Sequence, residues 1–155
     1  MRNILLCSAA MMCLPLVMAR SDGITIPQIK EGLWEIEMQD TSSPANVTSH
    51  NYYKLCRDHA WDKQAQATIN NMKGCTTTLE PLGGGKYTSE GRCTVAGNVI
   101  VTDATISTTD TSSHSETHVT YTPAFYGNTG ETMIQDQTYL GSCPAGMKPG
   151  DRAPG

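Results

Sequence analysis

Residues 75–95 read CTTTLEPLGGGKYTSEGRCTV, and the fold is decided there. Cys75 and Cys93 lie nine residues either side of Gly84, the middle of Gly83-Gly84-Gly85. Folding the chain back at those glycines pairs residues whose numbers sum to 168, which sets Cys75 against Cys93. Leu79, Tyr87 and Val95 then share the face of the cysteines, while Glu80, Lys86, Thr88, Glu90 and Arg92 share the other. Alternation with a period of two marks strands half buried on one side. The stretch therefore predicts a β-hairpin clasped by a disulfide, with glycines as turn residues.

Downstream, Gly97-Asn98 is a turn and Val99 to Thr109 the next strand. Its apolar parity slips, with Val99 and Val101 odd but Ala104 and Ile106 even, which predicts a bulge near Asp103. From 114 to 122 alternation returns: His114, Glu116, His118 and Thr120 on one side, Thr117, Val119 and Tyr121 on the other. Pro123 ends regular pairing, Gly127 to Gly130 turns the chain, and 131–141 form a last strand of mixed parity. The tail from Cys143 to Asp151 reads as an extended loop.

Upstream, Trp34, Ile36 and Met38 alternate with Glu35, Glu37 and Gln39, an amphipathic strand, and Tyr52 to Leu55 carry a second one into Cys56. Helical spacing follows, with Trp61, Ala65, Thr68, Ile69 and Met72 behind an Asp58 N-cap and Gly74 as the stop. One helix is expected, over about 58–72. Residues 21–155 hold 20 threonines, and the chain has a single phenylalanine. Threonine suits exposed strand positions. The expected class is mainly β (β-rich α+β): a curled antiparallel meander of about six to seven strands, one helix across its face, and two disulfides.

The chain opens on Arg2, an apolar run through Val17 and a small residue at Ala19. That is the pattern of a secretory signal peptide over 1–19, leaving 20–155 as one exported domain. Beyond residue 19 no apolar segment is long enough to cross a membrane. Four cysteines remain there, which allow three pairings in an oxidising compartment. The hairpin symmetry selects Cys75–Cys93 and leaves Cys56–Cys143. The short bridge is worth about 3 kcal/mol and the long one somewhat over ~4 kcal/mol by loop entropy. No C-x-x-C is present, so zinc and thioredoxin-like chemistry are not supported. Fifteen acidic against eleven basic residues, with no basic patch, argue against nucleic acid and anionic membrane surfaces as partners.

Candidate chemistry is sparse. His114 and His118 share a strand face and are weak metal candidates, because a strand must bend sharply to converge them. A solvated threonine-rich face is the plainer account, and no metal or other cofactor is expected. No G-x-S-x-G or H-E-x-x-H occurs. His118 with Asp136, on neighbouring strands, is the best acid–base pair the sequence offers. Trp34, Tyr52, Tyr87, Tyr121 and Tyr139 are the aromatics available to line a concave sheet face, although a chain with one phenylalanine needs most of them as core.

Three stretches carry a family resemblance. They are Ile29-Lys30-Glu31-Gly32-Leu33-Trp34-Glu35-Ile36, then Leu55-Cys56 with the Cys75 and Cys93 pair, and finally Tyr139-Leu140-Gly141-Ser142-Cys143-Pro144-Ala145-Gly146-Met147-Lys148-Pro149-Gly150-Asp151. Together the chain resembles the DUF3617 proteins, small exported bacterial proteins of undetermined function; Glu31 stands where proline is usual. The resemblance implies a periplasmic location in a Gram-negative bacterium and carries over no catalytic residue. The function expected is a non-catalytic periplasmic or cell-envelope accessory or binding protein, with a small apolar ligand or an envelope protein as partner. The alternative is a small metal-dependent or hydrolytic enzyme using His114, His118 or Asp136.

Overall fold

A computed structural model describes residues 27–155. The expected leader, 1–19, lies outside the described residues. Eight strands form one antiparallel sheet: β1 (Gly32–Ser43), β2 (Thr48–Arg57), β3 (Cys75–Gly83), β4 (Lys86–Val95), β5 (Asn98–Thr108), β6 (Ser112–Phe125), β7 (Asn128–Gly141) and β8 (Arg152–Pro154). The order across the sheet is β3-β4-β5-β6-β7-β1-β2-β8, open at both ends. Helix α1 (His59–Asn70) connects β2 to β3. The strand count thus exceeds the expected six to seven, because the C-terminal residues add β8 against the middle of β2.

The opening hairpin pairs as its symmetry requires, with Cys75 opposite Cys93, Thr77 opposite Gly91 and Leu79 opposite Ser89. Cys75–Cys93 and Cys56–Cys143 are bonded, with Cα atoms 4.0 and 5.6 Å apart. The bulge expected near Asp103 is absent: β4–β5 and β5–β6 pair without interruption through that residue. Instead Val99 and Val101 lie on the outer face while Ile100, Ala104 and Ile106 lie on the inner, and both sets are half-buried. An apolar residue on a threonine-rich outer face needs no backbone defect to account for it. The strand after Pro123 also behaves as expected on one side, since β6–β7 pairing breaks between Thr120 and Phe125.

Trp34 and Ile36 project from β1 onto the inner face and, with Ile29 and Leu55, make the core; Tyr53, Trp61 and Tyr139 pack against it. Trp34 is fully buried, donates its indole N–H to the Lys30 carbonyl at 2.9 Å, and meets Tyr139 edge-on at 5.7 Å. Its burial alone contributes on the order of 3 kcal/mol. Asp58 caps α1, its carboxylate accepting the Trp61 N–H at 2.7 Å. The helix ends two residues before the expected Met72. There the Asn71 side-chain amide donates to the Ala67 carbonyl at 2.7 Å and competes for the acceptors of the last turn.

The tail after Cys143 docks along β2. The Gly150 N–H donates to the Cys56 carbonyl at 2.8 Å, and the Cys56 N–H donates to Asp151 at 3.1 Å. Gly150, at φ +96°, lies so close to the Trp61 indole that a Cβ there would meet Nε1 at 2.6 Å. Glycine is required on both counts. Each end of α1 is therefore flanked by a disulfide: Cys56 two residues before its cap, Cys75 five residues after its last turn.

Candidate functional site

Between α1 and the inner face of the sheet lies a cavity of about 190 Å³. Ile29, Ile69, Leu79, Tyr87 and Ile106 give it an apolar wall, and Arg57 and Gln137 close one end. Thr77 on β3 and Gln137 on β7 both reach it. In a flat sheet these two strands stand about 19 Å apart, four spacings of roughly 4.8 Å. A void of this size touches both only because the sheet curls around it. The curl is what turns an ordinary meander into a container.

Helix α1 forms the remaining wall without sealing it. None of its residues is buried, and Ile69, which lines the cavity, is 46% exposed. The helix therefore rests over the void as a partial cover held at its ends.

Arg57 is the polar feature that the sequence reading passed over. It follows Leu55 at strand spacing, so parity alone places a cation on the buried face. Its guanidinium bonds Asp62 through Nε at 2.8 Å and Nη2 at 2.6 Å, and donates to Gln137 at 2.9 Å. It also lies beside the Trp34 and Trp61 rings, 5.8 and 5.9 Å from their centroids. Charge pairing and stacking together hold this cation where water is scarce.

Of the five aromatics expected on a concave face, Tyr87 lines the cavity. Trp34 and Tyr139 are core. Tyr121 lies at the far end of the sheet against Phe125, 5.9 Å between rings, and donates to Glu131 at 2.9 Å. Burial, then that hydrogen bond and the Glu131 charge, push its phenol up to about 12. Tyr52 is a correction: it pairs with Glu37 on the outer face, and its hydroxyl donates to Glu35. That hydrogen bond, ahead of burial and the charges of Glu35 and Glu37, raises its pKa. The neighbouring Tyr53 takes the inner position instead, because strand parity admits only one of the two.

The histidines also differ from the expected pairing. His114, not His118, meets Asp136, with Nδ1 2.7 Å from Oδ1. Register decides this, since His114 lies directly opposite Asp136 and His118 opposite Thr132. His118 contacts Glu116 at 3.2 Å and the Thr132 hydroxyl at 3.2 Å. Four residues along one strand separate the two backbone positions by about 13 Å, and the side chains turn to different partners, so the pair does not converge on one metal ion. Among the described residues no three His, Cys, Asp or Glu side chains are grouped to hold one. His114 and Asp136 are both more than half exposed, in an open groove lined with Ser107, Thr109 and Ser112.

These features define an open antiparallel sheet, clasped by two disulfides, that curls around a small apolar cavity beneath a single helix. The chain belongs to the DUF3617 family, described as proteins of unknown function, whose family model matches residues 29–143. No curated protein and no solved structure matches it.

Proposed function

We propose that this is an exported, periplasmic, non-catalytic binding protein that holds a small apolar molecule in the cavity beneath α1. The cavity itself carries the proposal: about 190 Å³ of mainly apolar space under a helix with no buried residue of its own. An engineered apolar void of about 150 Å³ stays dry and takes up benzene, so this volume suits one ring or a short acyl chain. Two disulfides support an oxidising compartment, in keeping with the leader-like segment at 1–19. Native mass spectrometry of protein purified from periplasm tests the proposal. The expected result is an adduct of small mass that is absent from an Ile106→Trp variant, whose indole fills the void. A wild-type protein without adduct that also fails to take up single-ring probes would overturn it.

The His114–Asp136 contact supports a second reading, a small hydrolytic enzyme with His114 as base. It requires a hydrolytic activity that His114→Ala abolishes and Ile106→Trp leaves intact.

A further inference from the structure

Three turns lie at one end of the sheet: 95–98 between β4 and β5, 125–128 between β6 and β7, and 43–48 between β1 and β2. Val101, Thr120, Gly130 and Ser43 lie on one line across the strands, and all three turns project beyond it in the same direction. Each presents apolar side chains to solvent: Val95 48% exposed, Phe125 45%, Tyr126 91% and Val47 64%. Positions 43–48, 94–99 and 122–129 contain no Asp, Glu, Lys, Arg or His, although 17% of the chain is charged.

The backbone is strained at the same places. Ala96 and Tyr126 occupy the first positions of two-residue turns at φ +49° and +47°, each followed by a glycine at positive φ. Such turns favour Asn-Gly. A bulky aromatic at positive φ is an outlier, and strain of this kind collects at functional positions. Tyr126 is nearly fully exposed and among the described residues its one ring contact is edge-to-face with Phe125, at 4.5 Å, so packing within the fold does not account for it.

We propose that this end of the sheet docks on a zwitterionic lipid surface, with Tyr126, Phe125, Val47 and Val95 entering the boundary between headgroups and acyl chains. A protein partner fits less well. Phe125 and Tyr126, 45% and 91% exposed, together offer roughly 200–340 Å² of accessible side chain. A stable protein interface needs about 800 Å² from each partner. Separate projecting tips also lack a continuous face to match. A lipid surface accepts inserted side chains one by one, and tyrosine, apolar with a polar tip, settles at that depth. With a net charge of −4 and no charge at the tips, binding rests on insertion and not on attraction to anionic lipid.

Flotation with phosphatidylethanolamine–phosphatidylcholine vesicles, at low and high salt, tests this. The wild-type protein is expected to float at both salt concentrations. Tyr126→Asn is expected to float at least tenfold less while its melting temperature rises, because asparagine suits the turn. That combination separates lost docking from lost folding. Leu82→Asn, at the opposite end of the sheet, is expected to float like wild type. In a Tyr126→Trp variant, emission shifts to the blue on adding vesicles. Failure of the wild-type protein to float, or equal loss with Leu82→Asn, would refute the proposal. So would a wild-type dimer in sedimentation that Tyr126→Asn dissociates, which would assign the tips to a second copy of this chain.

Discussion

The two disulfides differ in what they hold, and the difference is measurable. Cys75–Cys93 spans 18 residues of a hairpin already joined by its own ladder, whereas Cys56–Cys143 spans 87. On loop-closure entropy the first contributes about 3 kcal/mol and the second about 4.5 kcal/mol. The shorter bridge lies inside the longer loop and lowers the latter figure by only a few tenths of a kcal/mol. Native contacts widen the gap. Releasing Cys143 also loosens the tail that bonds Cys56 through Gly150 and Asp151 and rests Gly150 on Trp61. Small domains have a total stability of about 5–15 kcal/mol, so the long bridge carries a large share. Urea unfolding of wild type, Cys75→Ala/Cys93→Ala and Cys56→Ala/Cys143→Ala, followed by tryptophan fluorescence, is expected to give midpoints falling in that order. The two variants should differ by roughly 1–2 kcal/mol, and both should show steeper transitions than wild type, because the unfolded chain expands when a bridge is cut. Equal or inverted midpoints would refute the reasoning from loop length and tail docking.

Gly150→Ala is expected to destabilise by about 2 kcal/mol or more in a thermal melt, since its Cβ meets Trp61 and its backbone leaves the range open to alanine. Asp58→Ala removes the cap accepting the Trp61 N–H and should cost about 1 kcal/mol, read as lost helical circular dichroism and a lower melting temperature. Asp62→Asn leaves the Arg57 guanidinium short of its charge partner and should cost about 1–3 kcal/mol in chemical denaturation. Tyr121 ionises near pH 10 in the unfolded chain and at about 12 in the folded one, so the unfolded chain loses this proton first. Its contribution is complete below pH 10 and disappears as pH rises through 12. Tyr121→Phe is therefore expected to flatten the alkaline fall in stability over that range.

Local signals make much of this fold legible in the sequence. The glycine-centred hairpin, the Asp58 cap and the alternation of Trp34, Ile36 and Met38 each encode their structure within a few residues. What escaped depends on contacts distant in sequence. The insertion of β1 between β7 and β2 pairs residues about a hundred positions apart, and no local period announces it. β8 is three residues long and becomes a strand only because β2 offers an edge. The choice of His114 over His118 as partner of Asp136 turns on a β6–β7 register that turn lengths alone leave open. Arg57 was visible as a charge at a buried parity. Its role became clear only when Asp62 and Gln137 arrived from separate elements.

An open sheet with strands of up to fourteen residues has two rims where backbone donors and acceptors invite further strands. At one rim β8 covers Tyr53 to Leu55 of β2 and brings an exposed Pro154 and an exposed Arg152, whose guanidinium lies 4.6 Å over the Tyr53 ring. At the other, β3 carries Pro81, which has no N–H to offer a further strand and where the ladder to β4 shifts register, and sets exposed Glu80 beside it. A charge and a proline at each rim are recurrent guards against sheet-to-sheet polymerisation. The three residues of β8 thereby occupy the stretch of the β2 edge nearest the core, where an added strand would otherwise pair.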